Sequence, residues 1–141
     1  MSFVLDASVA LLWFVPETNP AGADYASATL KALKEAQAVV PSLFALEVAN
    51  VVAKVESKGI VTEADSQRFV ALLGRLNIVT DQATATHALG DTLHLARRYK
   101  LSAYDAAYLE LALRTGLPLA TLDDNLAKAA KTAGVPIFCA H

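Results

Sequence analysis

The segment SFVLDASVA, residues 2–10, sets an apolar run directly against a carboxylate. Ser2–Leu5 shows no polar alternation, the pattern of a strand covered on both faces. Asp6 ends that run, and Ala7 and Ser8 follow it with no neighbouring Lys or Arg. Burying an unpaired carboxylate costs several kcal/mol, so an acid in this position needs a cation or a partner. In open α/β sheets ligands bind beyond the carboxyl ends of the strands, which is where such an acid stands.

Four further runs, residues 38–40, 77–79, 117–120 and 136–139, read as strands of the same buried type. Helical patterns separate them. Asn19-Pro20 opens a helix reaching toward Gln37. Ser42 can cap the next, which Gly59 ends, and Thr62 with Asp65 forms a capping-box pair for another. Residues 83–99 and 102–115 complete the helical set, with Gly116 and Gly134 as left-handed C-caps leading into strands. Strands alternating with helices, without repeat or linker, predict one α/β domain over residues 1–141, built on a mainly parallel five-stranded sheet.

Three more acids interrupt apolar, Ala-rich stretches: Glu47 in ALEVAN, Asp105 in SAYDAAYLEL and Asp123 in ATLDDNLA. Asp123 follows a strand, as Asp6 does, and Glu47 and Asp105 fall early in helices, so all four can meet at one sheet edge. Glu47 and Asn50, at i and i+3, share a helical face. Each acid also has a local explanation. Ser102 and Asp105 match a capping pair, Asp123 or Asp124 can cap the last helix, and Glu47 can be a solvated helix residue. The combination argues otherwise, because two carboxylates ~4 Å apart repel by roughly 4 kcal/mol at an effective dielectric near 20. A divalent cation resolves that repulsion, and hard oxygen ligands select Mg2+ or Mn2+.

The 55% hydrophobic content suits two-sided burial in α/β layers. The longest apolar stretch, residues 7–16, falls far short of the ~20 residues that cross a bilayer, and no basic residue precedes it as in a signal peptide. The single cysteine, Cys139, allows no intrachain disulfide and reads as a small residue buried in the last strand, which points to the cytoplasm. A net charge of −2 gives no global attraction to nucleic acid, but Arg97, Arg98 and Lys100 cluster just before Asp105. That run is either a solvated helix end or a set of phosphate contacts. His87, His94 and His141 lack ligand spacing, which argues against a zinc hydrolase. A dinucleotide fold would need glycines after the first strand. A dehalogenase-like phosphatase would need a second Asp where Ser8 stands, and the acidic pair and late Lys of a receiver domain are not found. A phosphatase or phosphotransfer domain using Asp6, and a non-catalytic binding module, remain the alternatives.

The segments VLDASV, LEVANV, SAYDAAYLELA and LATLDDNLAKAA, in that order, resemble the PIN domain. They look most like the VapC-like ribonuclease toxins of type II toxin–antitoxin modules, over essentially the whole chain. The resemblance implies a three-layer α/β/α fold and an acidic pocket holding Mg2+ or Mn2+. Asp6 and Asp105 would be the principal metal ligands, completed by Glu47 and Asp123. Asp123 is favoured over Asp124 by its T-x-D spacing from Thr121. Ser8, Thr121 and Asn50 would tune the ligands, and Arg97, Arg98 and Lys100 could hold the RNA backbone. The implied activity is metal-assisted hydrolysis of RNA phosphodiesters leaving a 5′-phosphate and a 3′-hydroxyl. The implied partners are a small antitoxin and a second copy of the chain.

Overall fold

Strand β1 (Ser2–Leu5) forms over the run that its apolar pattern predicts, with Phe3, Val4 and Leu5 fully buried. The computed structural model describes residues 1–140, so His141 lies outside the described residues. The chain continues through a short helix α1 (Ala7–Ala10) and 3-10 turns to α2 (Ala23–Ala32) and β2 (Gln37–Val40). Helices α3 (Phe44–Ser57) and α4 (Glu63–Arg75) precede β3 (Ile78–Thr80). Then come α5 (Thr84–His87), α6 (Leu93–Tyr99), α7 (Ala103–Thr115), β4 (Leu119–Ala120) and α8 (Asp124–Ala133). The sheet order is β3-β2-β1-β4 with every pairing parallel, and helices flank it. The α/β reading therefore holds.

The expected fifth strand reduces to one parallel bridge, Leu119 to Ile137, so the sheet has four strands among the described residues. Proline explains the loss. Pro118 and Pro136 have no N–H to give a ladder, and only their carbonyls join it. Val4 N–H donates to Pro118 and Leu119 N–H to Pro136, each at 2.9 Å. Phe138 turns inward to stack on Phe3 at 4.0 Å between ring centroids, and the next residue, Cys139, is exposed rather than buried. The sequence-based placing of Cys139 in the core was wrong for that reason.

Three helix expectations also need correction. The stretch over residues 83–99 breaks at Gly90, whose φ of −107° and ψ of −105° separate α5 from α6 by a widened turn. The helix opened by Asn19 stops at Ala32, and Asn19 does accept from Gly22 N–H as a cap should. Ser42 does not cap α3: its own N–H donates to Thr84 Oγ1 at 2.9 Å, and α3 begins two residues later. By contrast, the Thr62–Asp65 capping box forms with both of its bonds. Gly116 and Gly134 end α7 and α8 at φ of 70° and 86°. Lys100 caps α6 in the same left-handed region, at φ 56°, where a side chain costs about 1 kcal/mol relative to glycine.

Parallel pairing decides where the acids go. The carboxyl ends of β2, β1 and β4 share one edge, and Asp6 N–H donates to the Ala120 carbonyl at 2.9 Å, locking two of those ends together. From that edge β2 leads through Pro41 into α3, and β4 leads through Thr121 into α8. Helix α7 packs against β1 and buries Tyr108, Leu109 and Leu111, which brings its first turn to the same edge.

Candidate active site

Asp6, Glu47, Asp105 and Asp123 line a single cavity of about 280 Å³, together with Ser8 and Asn50. Four segments far apart in sequence therefore converge as expected. Asp124 is not on that cavity wall and is exposed as the first residue of α8, which separates it from Asp123.

Asp6 is the deepest of the four, 4% exposed. Ser8 Oγ donates to its Oδ2 at 2.7 Å and Thr121 Oγ1 donates to the same oxygen at 2.8 Å. Each hydroxyl is committed to that direction, because Ser8 accepts from Leu122 N–H at 3.0 Å and Thr121 accepts from Asp123 N–H at 3.0 Å. Oδ1 takes no hydrogen bond among the described residues, and no fully buried side-chain oxygen there lacks a partner, so Oδ1 opens onto the cavity. The Asp6 carboxyl lies above its ordinary range. Burial is the main cause, opposed by the two hydroxyls and reinforced by the charges of Glu47 and Asp123.

The local explanations of the other acids turn out partly true. Asp123 Oδ1 caps α8 by accepting from Leu126 N–H at 2.9 Å, so this residue both starts a helix and faces the cavity. Ser102 Oγ accepts from Asp105 N–H at 3.1 Å, but the return bond of a capping box is not made among the described residues. The Asp105 carboxyl stays on the cavity wall, and burial, then the charges of Asp123 and Asp6, push it up to about 6. Glu47 is half-buried and accepts from the Tyr108 hydroxyl at 2.5 Å. Its carboxyl is raised by burial, lowered by Tyr108 and raised again by Asp105. Burial and the Asp6 charge in turn hold the Tyr108 phenol protonated, so it remains a donor.

Sequence reading missed Tyr108, although it lies three residues from Asp105 on one helical face, the available signal. Asn50 sits on the cavity wall as expected. Arg97, Arg98 and Lys100 are exposed and do not line the acidic cavity; Lys100 lines a separate cleft. Among the described residues none of the four acids pairs with Lys, Arg or His. Nor do any three His, Cys, Asp or Glu side chains close around a point as a ready-made cage. Carboxylates spread round one cavity suit a small hard cation that keeps several waters and takes only one or two carboxylates directly. The donor set therefore fits Mg2+ or Mn2+, and Asp6 Oδ1 is among the oxygens left free of hydrogen bonds to meet it.

The raised carboxyls make a stability prediction for metal-free protein. An acid with a raised folded pKa binds protons better when folded, so lowering the pH through that value favours the folded state. For Asp105 the window runs from about 6 down to the ordinary 3.8. Asp65 and Asp81, lowered by their partners, withdraw stability only below that ordinary value. The melting temperature in EDTA should therefore rise between about pH 7 and about pH 5. Asp105→Asn should flatten that rise and be no less stable than wild type at neutral pH. A falling melting temperature over this interval would contradict the crowding of charge.

Comparison with known proteins gives a consistent result. A family model described as the PIN domain matches residues 3–132. Ribonuclease VapC3 of Pyrobaculum aerophilum is 31% identical over 129 residues, spanning 91% of this chain and 94% of that relative. A structure of VapBC2 from Rickettsia felis bound to a DNA fragment from their promoter is similar at a TM-score of 0.67 and 18% identity, covering 98% of each chain. A toxin–antitoxin complex from Klebsiella pneumoniae is similar at a TM-score of 0.61 and 22% identity, covering 99% of this chain and 98% of that one. At those identities the two solved structures speak for the fold.

Proposed function

The chain belongs to the PIN domain family, and from that premise we propose that it is a Mg2+- or Mn2+-dependent endoribonuclease, the toxin of a type II toxin–antitoxin module. The observation that carries this reading is the set of four carboxylates on one cavity with no cation partner among the described residues. The likeness to a relative named as a ribonuclease supports the substrate class. Membership of the family sets aside the dehalogenase-like, receiver and dinucleotide-binding alternatives.

In this reading Asp6 and Asp105 hold the ion, with Glu47 and Asp123 completing the ligand set. A bound divalent ion would polarise the phosphoryl oxygen and make a neighbouring water more acidic. The protein's own residues do the positioning. Ser8 and Thr121 fix the rotamer of Asp6 by spending their protons on one oxygen, which leaves the other for the ion. Tyr108 does the same for Glu47 from beneath. Asn50, on the wall beside Glu47, offers an amide to substrate or water. Asp105, pushed up to about 6 by burial and by the charges of Asp123 and Asp6, can exchange a proton with water near neutral pH.

A small antitoxin and a second copy of the chain are the partners we expect. A separate apolar groove of about 840 Å³ between α3 and α4, with Val48, Val52, Leu73 and Ile78 on its walls, supports a protein-binding role. No helix among the described residues is long and apolar enough to cross a membrane.

The test is direct. Purified protein freed of any antitoxin should cleave RNA with Mg2+ or Mn2+ and stop in excess EDTA. Mg2+ at ten times its dissociation constant should also stabilise the fold by about 1.4 kcal/mol, a rise of roughly 4 °C in melting temperature. That shift should shrink in Asp105→Asn. Cleavage undiminished by EDTA, or no thermal response to either ion, would reject the assignment.

A further inference from the structure

We propose that the cleft between the end of α6 and the flank of α8 is a phosphate subsite that holds the RNA strand beside the cleaved bond. The inference rests on the ribonuclease reading and adds a substrate-binding place to it. The cleft, of about 290 Å³, is lined by Tyr99, Lys100, Asn125, Lys128, Ala129 and Thr132, with no acid on its wall. Neither lysine forms an ion pair among the described residues. Two exposed lysines on one cleft, neither paired with an acid, leave positive charge there that an anion would neutralise.

The cleft and the acids are carried by the same elements. Lys128 lies five residues after Asp123, about 7.5 Å along the helix axis. Lys100 lies two residues before Ser102, the cap of the helix that carries Asp105. The two elements that deliver acids to the cavity thus also deliver the two lysines. The Asn125 amide makes no side-chain hydrogen bond among the described residues and remains available as a donor; Thr132 Oγ1 is engaged with the Lys128 carbonyl at 3.1 Å.

The backbone supplies an independent argument. Lys100 is the only non-glycine residue at positive φ among the described residues, while Gly59, Gly116 and Gly134 fill the other left-handed positions. Glycine would occupy that cap with less strain, so what distinguishes lysine there is its side chain. Tyr99 adds an aromatic face, with the Arg98 guanidinium 5.6 Å from its ring centroid. Cations next to an aromatic ring match a strand of phosphates and bases better than an acidic peptide.

The experiment measures binding of a labelled oligouridylate to Asp6→Asn protein at fixed Mg2+ over a series of salt concentrations. Adding Lys100→Gln and Lys128→Gln should weaken binding about tenfold. It should also flatten the dependence of log affinity on log salt by about 1.4, since each single-strand phosphate contact contributes roughly 0.7. A matched pair, Lys31→Gln with Lys34→Gln, removes equal charge just before β2, at the opposite sheet edge, and should change affinity less than twofold. Lys100→Gly should melt no lower than its parent yet bind more weakly, which separates the side chain from folding. Unchanged affinity and slope in the cleft double variant would overturn the subsite, as would an equal loss in the control pair. Lysine-dependent binding of RNA that the wild type never cleaves would leave the subsite standing and remove the nuclease reading instead.

Discussion

Asp6→Asn should lower RNA hydrolysis by at least about 10³-fold while leaving the fold at least as stable as wild type in metal-free buffer. The loss corresponds to roughly 4 kcal/mol of transition-state stabilisation, within what a Lewis-acid ion supplies. Stability should survive because the bonds at Asp6 are unequally shared. Ser8 and Thr121 both donate to Oδ2, and an asparagine carbonyl oxygen can accept both. The amide replaces Oδ1, the oxygen that opens onto the cavity, and removes a charge from a group 4% exposed. Asp105 loses one source of repulsion, so its raised value should relax. Cleavage within tenfold of wild type would contradict the role of Asp6. A melting temperature several degrees lower would show that its carboxylate is structural.

Arg114→Leu should destabilise the fold by about 3 kcal/mol, or roughly 10 °C in melting temperature. Arg114 Nε and Nη2 donate to Glu110 at 2.7 and 3.0 Å, and Nη1 and Nη2 donate to Asp81 at 3.2 and 2.7 Å. One guanidinium therefore ties the segment after β3 to α7. Glu110 is 4% exposed, so losing its partner leaves a buried acid without a counter-charge. The partly exposed arginine limits the loss, which sets the figure at the low end for buried pairs. Glu110→Gln combined with Arg114→Leu should recover part of the stability. Because α7 carries Asp105 at its other end, activity should fall with stability in the single variant. A loss below about 1 kcal/mol, measured by urea denaturation, would mean that the network is only a surface ion pair.

Much of the fold was legible because its decisive signals are local. An unalternating run ended by Asp6 names both a buried strand and its functional end, and the Thr62–Asp65 box and the glycine caps are readable within four residues. What misled were elements whose fate depends on a distant partner. Residues 136–139 look like a strand by composition, yet a ladder between segments carrying Pro118 and Pro136 shrinks to one bridge. Residues 83–99 look like one helix, yet Gly90 breaks it.

The site divides along the same line. The four acids were visible because each breaks an apolar pattern. Tyr108 and Glu110 were not, because both lie in the apolar stretch AAYLEL and acquire meaning only from Glu47 and from Arg114, the latter bonded in turn to Asp81. The competing explanations of Asp123 as a cap and as a cavity residue proved compatible, since one carboxylate oxygen caps α8 while the residue faces the cavity. The basic run before Asp105 was visible as a cluster, but only the folded chain separates Lys100, which enters a cleft with Lys128, from Arg97 and Arg98, which do not.

Anomalous diffraction from crystals soaked in Mn2+ would address the shared cavity most directly. The expected map has a manganese peak within ligating distance of Asp6 Oδ1 and of at least one of Asp105, Glu47 and Asp123, and no such peak in Asp6→Asn crystals. A map with no manganese among these carboxylates, from protein that still cleaves RNA in the same buffer, would contradict it.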